Sequence, residues 1–154
     1  MELTFAGLRR HQLLFAAPVD LQALARLDRF FEVEVTGQDD LLDAAVLAAR
    51  LAGKSALIAV RTARIDARLL ASLPYLKAVC KAAPSHDDVD LDACTRARVI
   101  VTNADDVREG AAGARQMAQA AADNVIAAFG FGRASSHPRN LLNTELRCLL
   151  GCCA

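Results

Sequence analysis

Cysteine and histidine have the widest chemical range of the side chains in this sequence, and their spacing argues against a metal centre. Three of the five cysteines, Cys148, Cys152 and Cys153, crowd the C-terminal end. Thiolates could bind zinc there, but no histidine lies near them at ligand spacing, so we expect no metal site. Cys80 falls in a predicted strand and is expected to be a buried thiol. An odd number of cysteines without framework spacing is typical of a reducing compartment, which predicts a cytoplasmic protein.

Phosphate-binding motifs are absent from the sequence. Neither the GxGxxG pattern nor the GxxxxGK[ST] pattern occurs. The segment at residues 16–20, after the first predicted strand, lacks the clustered acids of a phosphoacceptor domain. It also lacks the Thr, Ser and Gly residues of a flavin-phosphate loop. There is therefore no reason to expect a bound nucleotide, phosphoryl group or flavin.

The composition is that of one domain with an aliphatic core. The 154 residues are 54% hydrophobic, contain no tryptophan and carry no net formal charge. No basic stripe indicates nucleic acid as a partner. No apolar run reaches the roughly 18 residues that a membrane span needs, and no secretory signal opens the chain. We therefore expect a partner that is neither a nucleic acid nor a membrane.

Apolar runs alternate with helical patterns along the chain. Buried strands are predicted at residues 12–16, 55–60, 76–82 and 99–102, and the strict alternation of Phe31–Val35 indicates a half-exposed edge strand. Helices are predicted after the first strand and at residues 41–52, 65–73, 91–97 and 111–129, with Asp90 as a capping residue. This order predicts an α/β fold: a flavodoxin-like, doubly wound, five-stranded parallel sheet of order 2-1-3-4-5 with helices on both faces.

Ligands of open parallel sheets bind beyond the carboxyl ends of the strands. The loops at that edge are residues 16–20, 61–64, 82–87 and 103–107. They are the expected location of any binding site.

Three sequence segments resemble one enzyme family. LPYLKAV at residues 73–79, HDDVDLDA at 86–93 and VIVTN at 99–103 resemble the substrate-domain signature of the NAD-dependent D-2-hydroxyacid dehydrogenases, LPxLKxI, GVGxDNVDLxA and VxVTN. Within one domain spanning 1–154, residues 1–107 resemble the first block of the family's substrate-binding domain. Residues 110–146 resemble the helix and tail that return from its nucleotide domain. A Rossmann domain, on the order of 100–200 residues, is missing between about 107 and 110.

The resemblance implies a site without its catalytic groups. In the family the inserted domain holds NAD or NADP and supplies the catalytic arginine, glutamate and histidine, so we expect no catalytic residue, cofactor or metal here. Arg61 matches a position that can face substrate, and His86 lies beside the substrate loop. Ala83, Pro84 and Ser85 replace the glycine-rich turn whose N–H groups bind the substrate carboxylate. Pro84 has no N–H, and its neighbours disfavour positive φ, so these residues are vestigial.

The resemblance leaves several functions open. The first is an isolated, catalytically inactive substrate-binding domain, a natural remnant or an engineered domain deletion, without NAD binding or turnover. Any small-molecule partner is expected to be a small 2-hydroxy or 2-oxo acid, bound weakly. The second is a carboxylate-binding module using Arg61, Ser85 and His86. The third is an interaction protein that docks on a full-length dehydrogenase or on itself, and a working dehydrogenase is the least favoured. We expect a monomer, or a homodimer exchanging the helix at 111–129 through the short joint at 107–110.

Overall fold

A five-stranded parallel sheet of order β2-β1-β3-β4-β5 forms the centre of the computed structural model, which describes residues 10–105, 110–131 and 138–150. The predicted fold class and strand order are confirmed. The strands are β1 (His11–Ala16), β2 (Phe31–Val35), β3 (Ala56–Ala59), β4 (Ala78–Lys81) and β5 (Ile100–Thr102). The helices are α1 (Leu21–Asp28), α2 (Ala44–Leu51), α3 (Ala67–Ala71), α4 (Leu91–Arg96) and α5 (Gly110–Ala128), and a 3-10 helix spans Thr144–Leu150.

The two faces of the sheet are covered by different helices. Leu27 of α1 and Val125 of α5 belong to the hydrophobic cluster on one face. Leu47, Leu70 and Cys94, from α2, α3 and α4, belong to the cluster on the other face. Every residue of β3, β4 and β5 is buried, whereas β2 at the edge is partly exposed. This burial explains why only β2 has an alternating sequence.

Aspartate caps the N-terminus of each of the first four helices. The carboxylates of Asp20, Asp43, Asp66 and Asp90 accept hydrogen bonds of 2.9–3.0 Å from backbone N–H groups in the first turns of α1, α2, α3 and α4. The sequence prediction named only Asp90, and that cap is confirmed. These caps determine where each helix begins after its loop at the carboxyl edge.

Two helices begin later than predicted because their caps lie inside the predicted spans. α2 was expected from residue 41, but Leu41 precedes the cap, is fully buried, and its carbonyl accepts a hydrogen bond of 2.7 Å from Ala63 N. α3 was expected from residue 65, but Ile65 pairs with Val89 in an isolated β-bridge. Gly53 follows α2 with a φ of 78°, so the predicted glycine stop is confirmed.

The chain after α5 covers the outer edge of β5. Leu141 forms an antiparallel bridge with Thr102. The side chain of Asn143 accepts a hydrogen bond of 2.9 Å from Val101 N and donates one of 2.7 Å to Val99 O. A side chain thus replaces a neighbouring strand along this edge, which protects it from pairing with other chains.

The predicted joint between the two sequence blocks lies outside the described residues, apart from Gly110, where α5 begins. None of the helices in the described part of the chain is long and apolar enough to cross a membrane.

Candidate functional site

The loops after β3 and β4 are joined at the carboxyl edge of the sheet. Ile65 N donates a hydrogen bond of 2.8 Å to Asp88 O, and Asp90 N donates one of 2.9 Å to Ile65 O. Neighbouring parallel strands end at the same edge, so both loops border the place where such sheets bind ligands. The structure therefore brings the loop that contains Arg61 next to the loop that contains residues 83–86.

Arg61 is already engaged by a carboxylate. Its Nε and Nη2 atoms each lie 2.8 Å from Oδ1 of Asp39. Both side chains are more than half exposed, at 60% and 55%. A ligand carboxylate would have to compete with Asp39 for this guanidinium, and no sequence pattern indicated that partner.

Residues 83–86 form a partly exposed turn, and the residues after β5 hold it on one side. Ala83 O accepts a hydrogen bond of 3.2 Å from Ala104 N, and Pro84 O accepts one of 2.8 Å from the side chain of Asn103. Among the described residues, none accepts a hydrogen bond from the backbone N–H of Ser85 or His86. Two backbone donors of the expected anion-binding turn are therefore left unused by the described part of the protein.

The turn does not have the conformation of a glycine nest. Among the described residues other than glycine, only Arg98 and Asn140 have positive φ, and both lie elsewhere. A nest that surrounds an anion needs a residue in the left-handed region. Residues 83–86 thus have an ordinary extended or right-handed backbone, where the resemblance implied a glycine-rich turn.

A buried ion pair that sequence reasoning missed lies directly behind this turn. Lys81, the last residue of β4, is fully buried, and its Nζ lies 2.6 Å from Oδ2 of Asp88. The same Asp88 oxygen accepts a hydrogen bond of 2.9 Å from Thr62 N. Burial lowers the pKa of Lys81 below its usual value, against the opposing effect of Asp88. A lysine ending an apolar strand was the available sequence signal.

The N-termini of α1 to α4 do not fit a nicotinamide dinucleotide. A pyrophosphate binds at a helix N-terminus that follows a strand, through unpaired backbone N–H groups. In α1 that position holds Asp20. Burial disfavours its charged form, but hydrogen bonds from Gln119 and Ala23 outweigh that effect and hold the pKa of Asp20 below its usual value. A carboxylate there repels phosphate, and α2, α3 and α4 carry the same type of cap.

Two of the described cysteines, Cys80 and Cys94, are poorly suited to metal or nucleophilic chemistry. Cys80 and Cys94 are free thiols in the two hydrophobic clusters, and the buried thiol predicted at Cys80 is confirmed. Burial raises the pKa of each thiol to about 12. Within the described ranges, no group of three or more His, Cys, Asp and Glu side chains is arranged to hold a metal ion. Cys152 and Cys153 lie outside the described residues.

Comparison with solved structures supports the fold. A putative D-isomer specific 2-hydroxyacid dehydrogenase from Polaromonas sp. JS6 66 superposes with a TM-score of 0.56 at 23% identity, over 64% of this chain and 31% of that one. The TT0316 protein from Thermus thermophilus gives a TM-score of 0.54 at 32% identity, over 60% of this chain and 30% of that one. The flavodoxin-like domain defined by the sheet is thus shared with parts of longer proteins.

The sequence places the chain in a family. Residues 13–137 match the D-isomer specific 2-hydroxyacid dehydrogenase catalytic domain, so the chain belongs to that NAD-dependent family. A glyoxylate reductase from Thermococcus kodakarensis is 27% identical over 92% of this chain and 43% of its own length. One from Aeropyrum pernix is 29% identical over 91% of this chain and 45% of its own. The chain thus spans less than half the length of these relatives.

Proposed function

We propose that this chain is a substrate-binding domain of the D-2-hydroxyacid dehydrogenase type that binds a small 2-hydroxy or 2-oxo acid weakly and has no dehydrogenase activity by itself. The observation that carries the proposal is the pair of backbone N–H groups of Ser85 and His86 on the turn beside the Arg61 loop. A carboxylate is the ligand that such donors and a guanidinium would bind together. Glyoxylate, named in the relatives, is the smallest representative of this class.

Two features support weak binding. Pro84 contributes no N–H to the turn, so one donor of the family's three-residue turn is missing. Arg61 is paired with Asp39, so binding a ligand requires breaking that ion pair or sharing the guanidinium. We therefore expect a dissociation constant in the millimolar range.

The absence of turnover follows from the groups that this chain does not supply. Hydride transfer in this family uses a nicotinamide cofactor, and the chain has neither GxGxxG nor an uncapped N-terminus on α1 to α4. We therefore assign this chain neither a catalytic residue nor a cofactor. Any dehydrogenase activity would need a nucleotide-binding domain on another segment or another chain.

Two measurements on the purified chain test this proposal. NADH or NADPH oxidation with glyoxylate is expected to equal the buffer rate, and turnover by pure protein would contradict the proposal. Titration with glyoxylate is expected to show saturable binding that Arg61→Met weakens. Arg50→Met serves as the control, because Arg50 forms a comparable exposed ion pair with Glu34 on a different element. Absence of binding at tens of millimolar ligand would refute the carboxylate site.

A protein-interaction role is favoured by one observation at the same edge. Val19, in the loop after β1, and Leu21, the first residue of α1, are 58% and 78% exposed. Large exposed apolar side chains beside a candidate site are typical of a surface that another protein covers. Light scattering distinguishes a monomer from a helix-exchanged or face-to-face dimer. If Val19→Ser/Leu21→Ser dissociates a dimer and Leu149→Ser does not, the interaction role is supported; a monomeric wild type contradicts self-association.

A further inference from the structure

The buried pair of Lys81 and Asp88 calls for an explanation beyond folding. Lysine is almost never fully buried unless it is paired, and Lys81 has no exposed surface. Its Nζ lies 2.6 Å from Asp88, whose side chain is 19% exposed. Burying two charges loses their hydration, and apolar residues of similar size often stabilise a core equally well or better. The contribution of this ion pair to the stability of the fold therefore does not explain why the sequence has it.

Asp88 forms hydrogen bonds that connect the loop after β4 with the loop after β3. Its side-chain Oδ2 accepts the Thr62 N–H at 2.9 Å, and its backbone carbonyl accepts the Ile65 N–H at 2.8 Å. The neighbouring Asp87 O accepts a hydrogen bond of 3.0 Å from Arg64 Nη1. Three contacts thus fasten the segment that follows the 83–86 turn to the segment that follows Arg61.

The opposite side of the turn has its own attachment. Asn103, after β5, donates to Pro84 O at 2.8 Å, and Asn124 of α5 donates to Asn103 O at 3.4 Å. The turn is therefore held between two supports. The Lys81–Asp88 ion pair is the support on the side of Arg61. Lys81 attaches it to the end of β4.

We infer that Lys81 and Asp88 are positioning residues. They fix the position of the 83–86 turn relative to the Arg61 loop, so that both can contact one carboxylate. Lys81 donates a hydrogen bond to the Asp88 carboxylate and fixes its position, and Asp88 holds Thr62, the residue next to Arg61. Neither side chain contacts the ligand. The binding part of this inference rests on the proposed carboxylate site, whereas the loop geometry can be tested without any ligand.

The test compares Lys81→Met/Asp88→Leu with Arg50→Met/Glu34→Leu, which makes the same chemical change at an exposed ion pair between α2 and β2. Amide hydrogen exchange is measured by NMR on ligand-free protein at Thr62 and Ile65 in the loop, and at Leu57 in the core of β3. Glyoxylate affinity is then measured by titration of the same samples.

The expected result is a local change. In Lys81→Met/Asp88→Leu, exchange at Thr62 rises at least 100-fold while Leu57 changes less than threefold, and glyoxylate binds at least tenfold more weakly. The control pair changes none of these. Equal acceleration at Thr62 and Leu57 would show that the pair acts only on global stability and would overturn the inference. Unchanged Thr62 exchange would overturn it as well.

If Lys81→Met/Asp88→Leu does not fold, a second variant provides the test. Asp88→Asn preserves the shape and one acceptor oxygen, and it should accelerate Thr62 exchange about tenfold with Leu57 unaffected. No acceleration in the folded Asp88→Asn protein contradicts the positioning role. If wild-type protein does not bind glyoxylate, the proposed function fails, while the exchange rates still decide whether Lys81 and Asp88 position the loops.

Discussion

Arg61 and Asp39 form an exposed ion pair in which two guanidinium nitrogens lie 2.8 Å from the same carboxylate oxygen. Arg61 belongs to the loop after β3 that borders the candidate carboxylate site, whereas Asp39 belongs to the loop after β2. If an acid binds Arg61 as proposed, Asp39 competes with it for the guanidinium.

Removing that competitor should strengthen ligand binding. In Asp39→Asn the guanidinium of Arg61 no longer has a charged partner, and exposed ion pairs contribute about 0.2–1 kcal/mol. We expect glyoxylate to bind up to about fivefold more tightly, as measured by calorimetric or NMR titration. Glu34→Gln, at the Arg50 pair, should leave the affinity unchanged. Weaker binding by Asp39→Asn would mean that Asp39 supports the site instead of competing with the ligand.

Restoring a backbone donor in the turn should also strengthen binding. Pro84→Gly adds the missing N–H and permits positive φ. A net hydrogen bond contributes about 1 kcal/mol, so we expect about fivefold tighter binding of glyoxylate. Pro74→Gly, next to α3, is the matched control for the loss of a proline. If both variants bind with wild-type affinity, the 83–86 turn does not contact the acid.

Asp20 should stabilise the fold more than the similar cap Asp43. Asp20 caps α1 and also accepts a hydrogen bond of 2.9 Å from Gln119 of α5, whereas the only hydrogen bonds that Asp43 accepts from described residues are those of its cap. Asp20→Ala is expected to lower the free energy of unfolding by about 2 kcal/mol, and Asp43→Ala by about 1 kcal/mol, in urea titrations. Equal losses would indicate that the α1–α5 contact adds nothing.

The same carboxylate predicts a pH dependence. The folded-state pKa of Asp20 is lowered, so its stabilising contribution is complete above the unfolded value of 3.8 and is lost as pH falls through the folded pKa. Urea unfolding at pH 6 and at pH 3 should therefore differ less in Asp20→Asn than in wild type. An identical pH dependence in the two proteins would assign the acid sensitivity to other groups.

Cys80 and Cys94 should be almost unreactive in the native protein. Burial raises their pKa from 9.0 to about 12, which leaves about three orders of magnitude less thiolate at neutral pH than an unperturbed thiol has. Alkylation followed by mass spectrometry should modify both residues only in denaturant. Rapid native modification at Cys94 would show that α4 opens easily.

The fold could be predicted from the sequence because its signals are local. Continuous apolar runs for β3 and β4, and the alternation of β2, reflect how many faces of each strand are buried. Helix starts were less accurate, because Asp43 and Asp66 lie within apolar or helical-looking spans. Their capping role depends on a backbone geometry that composition does not reveal.

The site was predictable only in outline. Position after β3 and β4 indicated only the loops at 61–64 and 82–87, and the family resemblance was needed to single out Arg61 and residues 83–86 within them. The partners of these residues, Asp39 and Asn103, come from other loops, and no sequence spacing indicates such contacts. The Lys81–Asp88 pair was missed because a lysine at the end of a strand ordinarily reaches solvent, whereas here the adjoining loops enclose it.

The most direct test of the proposed function is an NMR titration of uniformly labelled protein with glyoxylate and, separately, with NADH. We predict saturable shifts at the amides of Ser85 and His86 and near Arg61 with glyoxylate, and none at any helix N-terminus with NADH. Shifts at the N-terminus of α1 with NADH, or an undisturbed 83–86 turn at saturating glyoxylate, would contradict the proposed function.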